Sequence, residues 1–265
     1  MADLLETKQD GVAILTMNRP EARNALSASM LAALLEALPR LAADSSIGAI
    51  IITGAGGAFC AGGDVKGFAA TEGGANHGRS PEEAAHSLRQ NMEVSRWLHD
   101  MPKITIAAIP GAAAGAGLSI ALACDFRIAA RGAKITTAFA KVGLSGDFGG
   151  TYFLTQLVGS AKAKELYLLS DVILAEEAER LGVVTRAVDP KELQDEAMAL
   201  AKRFANGARI TQGLMKKNLN TAEKGDMLLS FDTEALNHSR SAQTADHAEA
   251  AKAFVEKRAP VFKGR

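Results

Sequence analysis

Three glycine-rich loops hold the residues of this chain whose types and spacing could do chemistry. The central loop lies within Ile104 to Asp125, ITIAAIPGAAAGAGLSIALACD, a stretch without charge before Asp125. Its β-branched run from Ile104 to Ile109 reads as a fully buried strand, Pro110-Gly111 as a turn and Gly115-Ala116-Gly117 as a tight small-residue loop, and an apolar helical pattern begins near Leu118. Such a strand, loop and buried helix present backbone N–H groups. The first N–H groups of a helix lack internal partners, they carry the positive end of the helix dipole, and small residues let another molecule approach them. A transmembrane helix is disfavoured by Pro110 and the glycines. A dinucleotide loop is disfavoured because Asp125 follows Gly115-x-Gly117 too soon to meet a ribose. A serine nucleophile elbow at Gly117-Leu-Ser119-Ile-Ala121 lacks its final glycine. A fourth reading is an oxyanion hole, N–H donors for an oxygen that becomes negative.

The second loop, Gly54 to Asp64, follows the apolar run Ile47 to Thr53. Without a Gly-Lys-Ser/Thr it is not a phosphate loop, and Asp64 reads as the N-cap of a short helix through Lys66 to Ala69. The third, Phe139 to Thr151, holds Asp147. Cys60 could be a thiolate near the site, but a small buried thiol is the expected state. The five histidines show no metal-ligand spacing.

The elements that must position these loops alternate along the chain. Strands are expected at Gly11 to Met17, Ile47 to Thr53, Ile104 to Ile109, Phe126 to Ala129, Ala133 to Thr137 and Val183 to Val188. Ser27 is a good N-cap for a helix whose stripe is Met30, Leu31, Leu34, Leu35, Leu38 and Leu41, and Pro39 should kink or shorten it. Ser80-Pro81-Glu82-Glu83 starts a helix running to about Asp100. The stretch 70–80 between them reads as a mobile loop bordering the site. Helical patterns follow at 152–158, 161–170 and 175–182, then from Pro190 to about Lys257. The class is α/β, with residues 1–190 as the site-bearing core and 191–265 as a helical C-terminal region.

Composition narrows the partners. Thirty basic and thirty acidic residues balance to zero net charge, which gives no footprint for nucleic acid. Two cysteines make neither a disulfide framework nor a zinc site and suit a reducing cytoplasm. The first residues, MADLLETKQDG, do not read as a signal peptide. No membrane span is expected.

Taken together, the motifs resemble the crotonase superfamily, the enoyl-CoA hydratase/isomerase family. The resemblance rests on Asn18-Arg-Pro-Glu-Ala-Arg-Asn-Ala-Leu26, Phe59-Cys-Ala-Gly-Gly-Asp64, Gly111 to Asp125, Gly149-Gly-Thr151 and Phe254 to Phe262. Each motif is weak alone; their order is specific. The resemblance implies a superhelix of ββα turns with a C-terminal trimerisation region, and a homotrimer or dimer of trimers. It implies an acyl-CoA thioester as substrate, with no metal and no cofactor beyond the coenzyme A that the substrate carries. By motif position, Gly63 and Ala116 are the implied oxyanion donors. Arg23 stands where the family meets coenzyme A phosphates, and Ala61, Gly62, Asp64, Val65, Lys66, Gly115, Ser119, Phe139, Leu144 and Phe148 are implied around the substrate.

The acid–base groups depart from the family pattern. Family hydratases carry two glutamates, and here their positions are Ser119 and Phe139, which cannot perform that pair of proton transfers. Asp147, in Gly143-Leu-Ser-Gly-Asp-Phe-Gly149, instead resembles the shuttle carboxylate of phenylacetate-pathway enoyl-CoA isomerases. Flanking Phe139 and Phe148 should keep it dry and raise its pKa; the bland alternative is a helix N-cap before Gly149. The expected activity is therefore an enoyl-CoA isomerase with one carboxylate. The alternatives are a hydratase without the usual glutamates and a non-catalytic acyl-CoA-binding subunit.

Overall fold

A computed structural model describes residues 2–64 and 78–265. The expected helix after Asp64, most of the 70–80 loop, Val65 and Lys66 lie outside the described residues. The frame is a six-stranded sheet: β1 (Leu4–Gln9), β2 (Val12–Met17), β3 (Ala49–Gly54), β4 (Ile104–Ile109), β6 (Phe126–Ala130) and β9 (Arg186–Val188) lie in that spatial order. Only β1 and β2 pair antiparallel; the remaining neighbours are parallel. Beside it stands a small sheet of β5 (Ala113–Ala114), β7 (Lys134–Thr136) and β8 (Ile173–Leu174).

The strands are apolar on both faces because both faces are covered. Residues at alternate positions leave on opposite sides. Ile50 and Ile52 of β3, and Ala107 and Ile109 of β4, face a core shared with Met30, Leu34, Leu38 and Leu41 of α1 (Ala28–Ala43). Ala49, Ile51, Ile106, Ala108 and Ile128 face the other way, onto Leu193, Ala197, Leu200 and Ala201 of α7 (Leu193–Ala205).

Several elements differ from the sequence expectation. β1 is not among the expected strands; it is an edge strand with mostly exposed side chains, so its pattern carries little apolar signal. Pro39 neither shortens nor ends α1, which runs on to Ala43. Leu38 and Leu41 are fully buried, and their packing outweighs the backbone bond that proline removes. The 81–100 helix is two, α2 (Pro81–Asn91) and α3 (Glu93–Asp100). Val183 and Val184 are buried but lie before the strand, which starts only at Arg186.

The remaining helices are α4 (Ala116–Leu122), α5 (Gly150–Leu169), α6 (Ala175–Arg180), α8 (Arg209–Ala222), α9 (Met227–Ala242) and α10 (Ala245–Val255). α5 is broken at Gly159, where φ 74 and ψ 161 leave the helical region, so its second half folds back. In α9 and α10, Met227, Leu228, Phe231, Phe254 and Val255 are exposed, more apolar surface than a solvated face ordinarily shows. Among the described residues no helix is long and apolar enough to cross a membrane.

Candidate active site

A short parallel bridge of Cys60 with Ala113 joins the first two loops, and one of Leu26 with Gly63 joins the second to the Asn18–Leu26 segment. Leu26 N–H donates to the Gly62 carbonyl at 2.8 Å, and Ala114 N–H to the Cys60 carbonyl at 3.0 Å. Glycine is required at two points. Gly62 holds φ +93, and a Cβ there would stand 2.9 Å from the Ala114 oxygen and 3.4 Å from the Ala116 nitrogen. Gly115 holds φ 53 and ψ −128, a region open in practice only to glycine, and it turns the chain into α4. The peptide that carries the Gly63 N–H therefore lies beside the first N–H of α4, that of Ala116. Among the described residues neither N–H donates to a protein acceptor.

Residues that the sequence reading did not single out hold this arrangement. Asn24 is fully buried; its side-chain amide donates to the carbonyls of Ala55 at 2.8 Å and Ala58 at 2.9 Å, and its oxygen accepts from Arg19 N–H at 2.9 Å. Arg19 donates to the Ala25 carbonyl at 2.7 Å and pairs with Asp64 at 3.3 Å. Asp64 is thus tied to the Asn18–Leu26 loop. Arg23 is exposed, its carbonyl accepting from Ala61 N–H at 3.0 Å, and among the described residues its guanidinium makes no ion pair.

Cys60 is a thiol. Burial pushes its pKa up to about 12, and its sulfur accepts from Gly62 N–H at 3.4 Å. Its work is packing: a Cβ on Gly117 would stand 2.4 Å from the Cys60 oxygen and 2.7 Å from its sulfur. Gly117→Ala must push α4 away from the Cys60 segment. Overpacking of this kind costs about 1–3 kcal/mol, and we expect that loss in urea unfolding; an unchanged midpoint would show the contact to be slack.

The third loop brings Asp147 against the first two. Gly146, Phe148 and Gly149 all have positive φ, at 119, 47 and 76. The strained Phe148 is held there by its own burial, being 3% exposed. The Asp147 carbonyl accepts from Gly150 N–H at 3.0 Å, but its side chain caps nothing: the N-cap of α5 is Gly149, without a side-chain cap bond. Its Oδ1 is buried and has no hydrogen-bond partner. Burial raises its pKa to about 6. The charge lies close enough to Cys60 to help raise that thiol's pKa, which puts the carboxylate near the second loop.

Ser119 is buried on α4, and its hydroxyl donates back to the Gly115 carbonyl at 3.2 Å. Phe139 is buried next to Gly115 and stacks on Tyr167, centroids 5.6 Å apart. Leu144 is exposed. Tyr167 escaped the sequence reading; the available signal was a lone tyrosine among leucines, since a buried phenol ordinarily finds a polar partner. Beyond Phe148 a groove of about 660 Å³ opens; Met92, Tyr152 and Phe153 line it together with the charged side chains of Arg89, Arg96, Asp100, Lys217 and Lys224, and Asp147 does not. Among the described residues no group of His, Cys, Asp or Glu could hold a metal ion.

The chain has known relatives along nearly its whole length. The model of the enoyl-CoA hydratase/isomerase family matches residues 7–265. The chain is similar to the 1,2-epoxyphenylacetyl-CoA isomerase of Escherichia coli (strain K12), 37% identical with 100% of both chains covered. It is also similar to the crotonyl-CoA hydratase of Syntrophomonas wolfei, 34% identical over 98% of this chain and 97% of the relative. The crystal structure of an enoyl-CoA hydratase from Polaromonas sp. JS666 superposes with a TM-score of 0.91 at 33% identity, covering 98% of this chain and 99% of the other. Matched along nearly its whole length, the chain belongs to the enoyl-CoA hydratase/isomerase family, enzymes that process acyl-CoA thioesters.

Proposed function

We propose that this enzyme is an enoyl-CoA isomerase that moves a double bond with one carboxylate. The observation that carries the reading is Asp147: a carboxylate with a buried, unpartnered oxygen, beside two loops whose N–H groups point at no protein acceptor. Gly63 and Ala116 would hold the thioester oxygen. Asp147 takes a proton from the carbon next to the thioester carbonyl. The charge spreads into a dienolate, stabilised at the oxygen by donors worth about 3–4 kcal/mol each in other enzymes. Asp147 then returns the proton two carbons further on. Arg23, exposed at the mouth, would meet a coenzyme A phosphate.

Hydration needs a base for water and an acid for carbon, and Ser119 and Phe139 occupy the positions that supply them in the family. The hydratase reading keeps support from relatives that bear that name. Turnover decides between them. The enzyme should convert 3-hexenoyl-CoA to the 2-enoyl isomer, followed by absorbance of the conjugated thioester, and should hydrate 2-hexenoyl-CoA slowly. Fast hydration without isomerisation would replace this reading by the alternative.

The pH dependence has a definite sign. The working form is the carboxylate, and burial sets its pKa at about 6. The kcat/KM for 3-hexenoyl-CoA should be level above about pH 7 and fall about tenfold per unit well below pH 6. A profile still flat at pH 5 would exclude Asp147 as the base in free enzyme.

A further inference from the structure

The mechanism above leaves one buried polar group unused. Tyr167 Oη is buried and makes no hydrogen bond of ordinary geometry, with the Ser119 hydroxyl as its polar neighbour. It comes to the site because α5 breaks at Gly159 and doubles back on its own N-terminus. A Cβ built on Gly150 would lie 2.6 Å from Tyr167 Oη and 2.3 Å from Ser119 Oγ, so the two hydroxyls are neighbours over a glycine that leaves them room. Gly146 is also close, its Cβ position 3.0 Å from the same Oη. Burial pushes the phenol's pKa up to about 12; the Ser119 hydroxyl pulls it down and the Asp147 carboxylate adds to the rise. The ring is fixed by its stack on Phe139, with only 11° between planes, and Phe139 in turn packs beside Gly115 at the oxyanion loop. A rigid donor thus stands beside the loop that carries the base, one stacked ring from Gly115.

Buried polar groups are ordinarily paired, and an exception asks for a reason. Asp147 acts on carbon and needs no hydrogen bond from its substrate. Tyr167 differs: an O–H buried here has a use if the substrate brings an acceptor. We infer that Tyr167, with Ser119 beside it, is a specificity-determining pair that donates to an oxygen on the acyl group near the reacting carbons, so that the site is matched to oxygen-bearing acyl thioesters in preference to plain hydrocarbon ones. The inference rests on the reading of this loop cluster as the acyl site. The physical basis is asymmetric: a hydrocarbon chain dehydrates the hydroxyl and leaves it unpaired, whereas a hydroxyl, ether or epoxide oxygen satisfies it.

The test compares saturated thioesters, which need no turnover. Binding of hexanoyl-CoA, 3-hydroxyhexanoyl-CoA and 4-hydroxyhexanoyl-CoA is measured by calorimetry on the full-length enzyme. At least one hydroxy compound should bind wild type about tenfold more tightly than hexanoyl-CoA. Tyr167→Phe keeps the ring stack and should bring that ratio to about one. Ser119→Ala, a second and independent variant, should lower it about threefold. Equal binding of all three thioesters by wild type overturns the inference, as does a tenfold preference that survives Tyr167→Phe. A merely structural Tyr167 would change affinity for every thioester alike and leave the ratio untouched. If wild type fails to isomerise 3-hexenoyl-CoA, the proposed activity falls, while the binding ratio still reports on Tyr167.

Discussion

Asp147→Asn should lose about 10²–10⁴ in isomerase rate, the usual scale of general acid–base catalysis, and yet be more stable than wild type at neutral pH. Asparagine keeps the size of the side chain but cannot accept the proton. The stability gain follows from the same burial that readies the base. In the unfolded chain the Asp147 carboxyl titrates near 3.8; in the folded protein its pKa rises to about 6. The folded state holds the proton more tightly, so stability is highest below about pH 4 and is lost as pH rises through 6. Each pKa unit corresponds to about 1.4 kcal/mol. Because the group is partly solvated, the penalty at pH 7 comes to about 2 kcal/mol. Asparagine carries no charge and escapes it. Urea unfolding of both proteins at pH 7 and at pH 4 checks the sign: the variant should be ahead at pH 7, with the gap closing at pH 4. An active variant sinks the proposed shuttle; an inactive variant without the pH-dependent gain shows that Asp147 is not held at a cost.

The second large effect lies away from the loops. Asp125→Ala should destabilise the fold by about 3–5 kcal/mol. Lys216 of α8 is 4% exposed, and its ammonium donates to Asp125 at 2.8 Å and to the carbonyls of Leu98 at 2.9 Å and Lys103 at 3.1 Å. Asp125 also accepts from the backbone and hydroxyl of Thr105, at 2.7 and 3.0 Å. Removing the carboxylate strands a buried cation and orphans the Thr105 donors. In a chain of this size the loss should lower Tm by roughly 10 °C. The double variant Asp125→Leu with Lys216→Met removes both charges and should recover most of it, as apolar replacements of buried pairs do elsewhere. If the single variant unfolds within 1 kcal/mol of wild type, the pair is hydrated and does not hold α8 to the sheet.

The buried strands and the glycine loops are legible in the amino-acid order. Strands such as Ile104–Ile109 are legible because a sheet covered on both faces demands unbroken apolar runs. The loops are legible because close backbone approach admits only small residues, as Gly62 and Gly117 show. Asp147 was legible only by motif position. Its lack of any partner belongs to the tertiary structure, since the same letters would describe a helix cap. Tertiary structure alone also decided Tyr167, which reaches Gly146 and Gly150 through the break at Gly159, and the pairing of Asp125 with Lys216, 91 residues apart. Periodicity records how much of a segment is covered; it does not record what covers it. An edge strand such as Leu4–Gln9, held by backbone bonds with few buried side chains, leaves almost no periodic trace, because its stability comes from the strand beside it.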